Sequence, residues 1–244
     1  MFLSPLDQFE IKPIFSYSDT FMLSNYSIYL FIIFTIMWSF KYLLNNGSLA
    51  PNRFSLVIFS IYDTVLNMVK SQMGNQGGIY FPLMFTLFNF IIMANLVSMM
   101  PYSFAYSAQL VAIIFLSMML WLGVTITGLA KHGWGFFALF VPTGTPLPLV
   151  PVLVMIELLS YSSRAMSLGL RLSANVLSGH LLMFMLGSLM LNLMSLSLVG
   201  FMGGFMPMAG VVMITMLEFA MSMIQGYVFC MLLCGYMKDA LYLH

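Results

Sequence analysis

Charge is what this chain has least of. Eight basic and seven acidic side chains make up 6% of its 244 residues and leave a formal net charge of +1. No basic patch exists to neutralise phosphates, so a nucleic-acid partner is excluded. A soluble domain is excluded as well: 61% of the residues are hydrophobic and the mean hydropathy is +1.01, which places the chain among polytopic membrane proteins. Thiols are scarce too. Cys230 and Cys234 stand four apart in apolar sequence with no histidine nearby, and read as small buried hydrophobes rather than a disulfide or metal pair. No GxxxxGK loop occurs, so nucleotide chemistry belongs elsewhere. The opening MFLSPLDQFEIKP has neither the cationic flank and apolar run of a secretory signal nor the arginines of a transit peptide. No cofactor or metal is expected.

Apolar runs fill the chain instead. Residues 27–44 are long enough for a first span, ended by Asn45, Asn46 and Gly47. Residues 51–71 differ: Arg53, Ser60, Asp63, Thr64, Asn67 and Lys70 fall on one helical face, the pattern of an interfacial amphipathic helix. From Ser71 to Ala130 no charged residue occurs, and Pro101 divides this stretch into spans at 79–99 and 105–130. The proline-rich loop PTGTPLPLVP follows. Residues 152–193 then run without proline and would form a helix on the order of 60 Å long, about twice the hydrocarbon thickness. Such a helix either breaks at Gly169 or Gly179 or lies steeply tilted. After a turn at Gly200, Gly203, Gly204 and Pro207, residues 208–243 form a second overlong helix. The fold class is thus all-α and polytopic, about five membrane helices with one amphipathic helix, the last two paired as a tilted hairpin in a single membrane domain. Lys41, Arg53, Lys70, Lys131 and Lys238 cluster at one set of helix ends, which puts the N-terminus outside and the C-terminus inside.

Against this background each charge inside apolar sequence needs a reason. Arg171 is the plainest case, because an arginine at a helix centre costs roughly 2.5–3.5 kcal/mol on insertion scales. Its face, read at steps of three, four and seven, is Ser160, Ser163, Ser167, Arg171, Ala174 and Ser178. Small residues admit a closely passing helix in lipid, so this face is shaped to offer one guanidinium to a partner that brings a carboxylate. Glu157, Arg164 and Arg171 are spaced by sevens, as are Glu218 and Gln225, with Asp239 two further steps on. Carboxylates and imidazole take up and release protons, whereas arginine stays charged. Glu157, His180, Glu218 and Asp239 therefore suit a proton path, with Asn95, Asn175 and Gln225 as polar company and Arg171 as a block. Glu157 and Asp239 lie towards the charge-rich ends, His180 and Glu218 on the other side of Arg171, and a pairing of His180 with Glu218 is expected. The plainer alternatives are snorkelling for Arg164, an interfacial position for Asp239 and Glu157, and a simple interhelical hydrogen bond for Asn95. A proton-linked transporter and a purely structural membrane subunit are rival functions; the former is disfavoured by the absence of an internal repeat.

The runs SLGLRLSANVLSGHLL, SPLDQFEI, FTLFNFIIMANLVSMMPYSFA, FVPTGTPLPLVP, LEFAMSMIQGYVF and KDALYLH closely resemble subunit a of the F-type ATP synthase in its fungal mitochondrial form. The 26 methionines agree with a mitochondrial genome that reassigns a codon to methionine. The resemblance implies a non-catalytic stator subunit of the mitochondrial inner membrane. Its partners would be the rotor c-ring, peripheral-stalk subunit b, subunit 8 and other membrane-sector subunits, lipid and protons. It implies that Arg171 faces the ring's proton-binding carboxylate and keeps two half-channels apart. His180 and Glu218 would belong to the half-channel from the intermembrane space, Glu157 and Asp239 to that from the matrix. Gln225 would stand beside the arginine, with Asn95, Asn175 and Arg164 as supporting polar residues. Bacterial relatives carry other residue types at positions 180 and 218, with a histidine at the latter, and this chain follows the mitochondrial arrangement. It also implies that the last two helices lie nearly in the membrane plane along the ring, with the N-terminus in the intermembrane space and the C-terminus in the matrix. Fungal relatives usually lose a few residues before SPLDQFE, which bears on Met1 to Leu3.

Overall fold

A computed structural model describes residues 9–18, 21–44, 53–100, 103–141, 147–196 and 202–242. The processing of Met1 to Leu3, the Asn45–Gly47 turn, Pro51, Pro101, residues 142–146 of the proline-rich loop and Gly200 lie outside the described residues.

The fold is α-helical. Six α-helices follow one another: α1 (Asn25–Leu44), α2 (Arg53–Met73), α3 (Phe81–Ser98), α4 (Leu110–His132), α5 (Val150–Leu196) and α6 (Phe205–Leu241). By length and composition α3, α4, α5 and α6 can each cross a membrane, and the apolar stretch Asn25–Phe40 of α1 is shorter. The ends of two helices follow from glycine. Gly74 after α2 and Gly133 after α4 have φ of 63° and 56°, the left-handed turn that releases the chain from a helix C-terminus. Lys131 and His132 stand in the last turn of α4, where cations suit the helix dipole.

One element was not foreseen. Between the N-terminus and α1 a two-stranded antiparallel hairpin, β1 (Pro13–Ser18) and β2 (Phe21–Ser24), is closed by the Asn25 N–H donating to the Lys12 carbonyl at 3.1 Å. With only six and four residues and irregular register it carries little of the alternation that announces a strand.

The amphipathic α2 behaves as its pattern predicts. Arg53, Ser60, Asp63, Thr64, Asn67 and Lys70 are exposed, while Val65, Met68, Val69 and Met73 are buried. α5 is a single unbroken helix of 47 residues, about 70 Å at 1.5 Å per residue. The possible break at Gly169 or Gly179 does not occur, because both glycines serve close packing. A Cβ on Gly169 would stand 2.6 Å from Ser117 Oγ and 3.1 Å from the Ile114 Cα on α4.

The contacts divide the chain into two compact units. The first is drawn from Met1–Leu49, Asn89–Gln109 and Leu172–Gly226; the second from Ala50–Phe88, Leu110–Arg171 and Tyr227–His244. In the first, Leu172, Val176, Ile91 and Ile92 are buried with the polar Asn95, Glu218 and Gln225. In the second, Val65, Met84, Leu168, Leu233 and the free thiols Cys230 and Cys234 are buried.

Candidate functional site

The first unit contains a buried acid–base pair. Helical spacing puts Glu218, Ser222 and Gln225 on one face of α6, and all three are buried. Glu218 reaches α5 beside Gly179, where a Cβ would lie 2.7 Å from its Oε1. Only glycine lets the carboxylate come this near the helix backbone. His180, the next residue, places its Nε2 3.8 Å from the same oxygen, with the two side chains 13% and 6% exposed. That distance exceeds a direct hydrogen bond. His180 Nε2 and both Glu218 carboxylate oxygens have no hydrogen-bond partner among the described residues. The pair thus keeps its capacity to give and take protons.

Around it the polar residues converge. A cavity of about 240 Å³ is lined by Asn95, Asn175, Gly179, Glu218, Ser222 and Gln225 among others. Asn95, 1% exposed, donates from Nδ2 to the Ser222 carbonyl at 3.2 Å, which fixes it in α3 as a cross-helix tie. The other face of the imidazole is covered by Phe9, edge-on at 6.2 Å between ring centroids. Gln109 holds Phe9 by donating from Nε2 to its carbonyl at 2.6 Å.

The second unit holds Glu157, Arg164, Arg171 and Asp239. Glu157 and Arg164 form an ion pair along α5, Oε1 to Nη2 at 3.8 Å, with side chains 44% and 38% exposed. Arg164, Arg171 and Asp239 all act electrostatically on the Tyr236 hydroxyl of α6. Arg171 itself is exposed, as are Ser163 and Ser167 on the same face. Among the described residues no carboxylate lies within 4.0 Å of Arg171. At the end of α6, Lys131 Nζ donates to the Leu241 carbonyl at 3.4 Å, and His132 Nε2 lies 3.1 Å from that oxygen.

The chain that carries these helices matches one family along most of its length. A sequence model of that family, described as ATP synthase A chain, covers residues 24–238. The chain belongs to the ATP synthase subunit a family. It is 63% identical over 246 residues to ATP synthase subunit a of Debaryomyces hansenii, with all of both chains covered. It is 59% identical to that of Candida albicans over the same full coverage. Identity to that of Saccharomyces cerevisiae is 53%, covering 99% of this chain and 96% of the relative.

Three residues of the site were given no part in it from the sequence. Ser222 lies between Glu218 and Gln225 at helical spacing, a signal that was there to be read. Gly179 resembles a helix breaker until Glu218 is seen against it. Tyr236 is one tyrosine among twelve, and nothing in its immediate sequence separates it from packing residues.

Proposed function

We propose that the chain is the proton-conducting stator subunit of a mitochondrial F-type ATP synthase, with two offset half-channels separated by Arg171. The observation that carries this reading is Arg171: an always-charged group, exposed on a face of small residues and, among the described residues, without a carboxylate within 4.0 Å. A charge in that state is completed by a partner, and a rotor ring bearing one carboxylate per subunit supplies it. The face of α5 and α6 that includes Arg171 then lies along the c-ring, the two helices tilted in the inner membrane. Peripheral-stalk subunit b and subunit 8 complete the surroundings.

Protons enter from the intermembrane space, the side of the N-terminus. Glu218 and His180 receive them at the polar cavity, and Asn95, Asn175 and Gln225 order the way to the ring carboxylate. After rotation they leave to the matrix, the side of the C-terminus, by Glu157 and Asp239. Arginine cannot exchange protons near neutral pH, so Arg171 stops a shortcut between the two routes. Each proton crossing 100 mV delivers about 2.3 kcal/mol, which becomes rotation only while that shortcut stays closed. ATP chemistry takes place in other subunits.

The test is Arg171→Ala against Arg164→Ala in mitochondrial membranes, with assembly checked on native gels. Arg171→Ala is expected to abolish coupled ATP synthesis in an assembled complex, and Arg164→Ala to retain it. Near-normal coupled synthesis with Arg171→Ala would overturn the mechanism.

A further inference from the structure

The second unit buries a hydroxyl that the proposed route has not yet used. Tyr161 is 6% exposed, and its oxygen has no hydrogen-bond partner among the described residues. Its ring is fully accounted for: Trp121 of α4 lies at 5.4 Å between centroids, and Phe140, in the turn after α4, stands edge-on at 5.8 Å. The Trp121 indole N–H is likewise buried with no hydrogen-bond partner among the described residues. Apolar packing alone would be served as well by phenylalanine, without an unmatched oxygen.

The position of this hydroxyl in the helix is informative. Tyr161 is four residues after Glu157 and three before Arg164, so it sits on the turn that the Glu157–Arg164 ion pair spans. Asp239 of α6 and Arg164 both act electrostatically on it. A neutral donor–acceptor thus stands one helical turn from Glu157 and within electrostatic reach of Asp239 and Arg164.

We propose that the Tyr161 hydroxyl is a relay group of the matrix-side route, handing protons between Asp239 and Glu157. The proposal rests on the half-channel reading and adds a residue to it. In each transfer the hydroxyl oxygen accepts a proton from one side while its own O–H proton leaves to the acceptor on the other. One O–H bond forms as one breaks, and rotation about the C–O bond resets the group with no net change in charge. Arg164 stays protonated and exchanges no proton in these steps.

The experiment uses the assembled synthase in mitochondrial membranes. Tyr161→Phe removes only the oxygen and keeps both ring contacts; Tyr161→His restores a ring that accepts and donates protons; Asp239→Asn reports on the route itself. Passive proton conduction is measured after removal of the catalytic head, normalised to assembled complex. Tyr161→Phe is expected to lower conduction roughly tenfold, below the 10²–10⁴ of a full general acid–base group, and Tyr161→His to recover part of it. Parental conduction by Tyr161→Phe, or equal impairment of the Phe and His variants, would overturn the relay while an impaired Asp239→Asn leaves the route standing. Parental conduction by both Asp239→Asn and Tyr161→Phe would overturn the route and the relay together.

Discussion

Two acid–base pairs in this molecule have the same separation and opposite surroundings. His180–Glu218 and Arg164–Glu157 are each 3.8 Å apart, yet the first pair is 13% and 6% exposed and the second 38% and 44%. Distance therefore says little about either. Among the described residues His180 Nε2 and both Glu218 oxygens have no hydrogen-bond partner, and the pair is held by a glycine-width approach between helices; removing one member of such a pair costs about 3–5 kcal/mol when the other remains charged. The open pair joins two long side chains of one helix, an arrangement worth about 0.2–1 kcal/mol. Shape around a charge, more than the nearest opposite charge, decides how much its removal costs the fold.

The comparison breaks if the buried pair can be edited without consequence. Glu218→Gln keeps the volume and removes the exchangeable carboxylate. Passive proton conduction through the assembled membrane sector is expected to fall by about a hundredfold or more, the scale of a lost acid–base group, and conduction near the parental rate would put both pairs on the same footing. A finer test leaves Glu218 in place and moves it. Gly179→Ala sets a methyl 2.7 Å from Oε1 and 2.8 Å from Cδ of Glu218, and the flexible carboxylate must swing away. Assembly is expected to survive while conduction falls roughly ten- to hundredfold, as a displacement near 1 Å can cost about 10²-fold; native gels read with conduction assays decide it. The smallest effect belongs to the open pair. Arg164→Ala is expected to change the stability of the sector by about 1 kcal/mol or less, measured by thermal inactivation of proton pumping, and a loss as large as that of Gly179→Ala would remove the distinction.

Much of this arrangement is legible in the sequence, because lipid and helix geometry leave few choices. A chain so poor in charge spans membranes, and the face carrying Ser163, Ser167 and Arg171 is visible from helical spacing alone, as is the polar face of α2. The expected pairing of Glu218 with His180 needs one more assumption, an antiparallel arrangement of α5 and α6, and the structure brings those side chains together. What spacing cannot reveal is which atoms lack partners. Tyr161 looks like any apolar tyrosine until its oxygen is found buried and unmatched, and Gly169 and Gly179 look like places to bend until the neighbouring helix is present. The β1–β2 hairpin escaped for a different reason: its strands are too short for their period to outweigh the polar composition around them.

The glycines of α5 also describe what inheritance can change. Gly169 faces fixed backbone, with the Ile114 Cα 3.1 Å and the Ile113 carbonyl oxygen 3.2 Å from the place of a Cβ; Gly179 faces a carboxylate that can move; Gly187 faces nothing within 4 Å among the described residues. One letter of the code thus carries three permissions within a single helix. An alanine allele at 187 is expected to meet no clash, one at 179 to give an assembled complex that conducts poorly, and one at 169 to strain the contact of α5 with α4. The same nucleotide change would be silent, bioenergetic or structural according to which turn of α5 receives it.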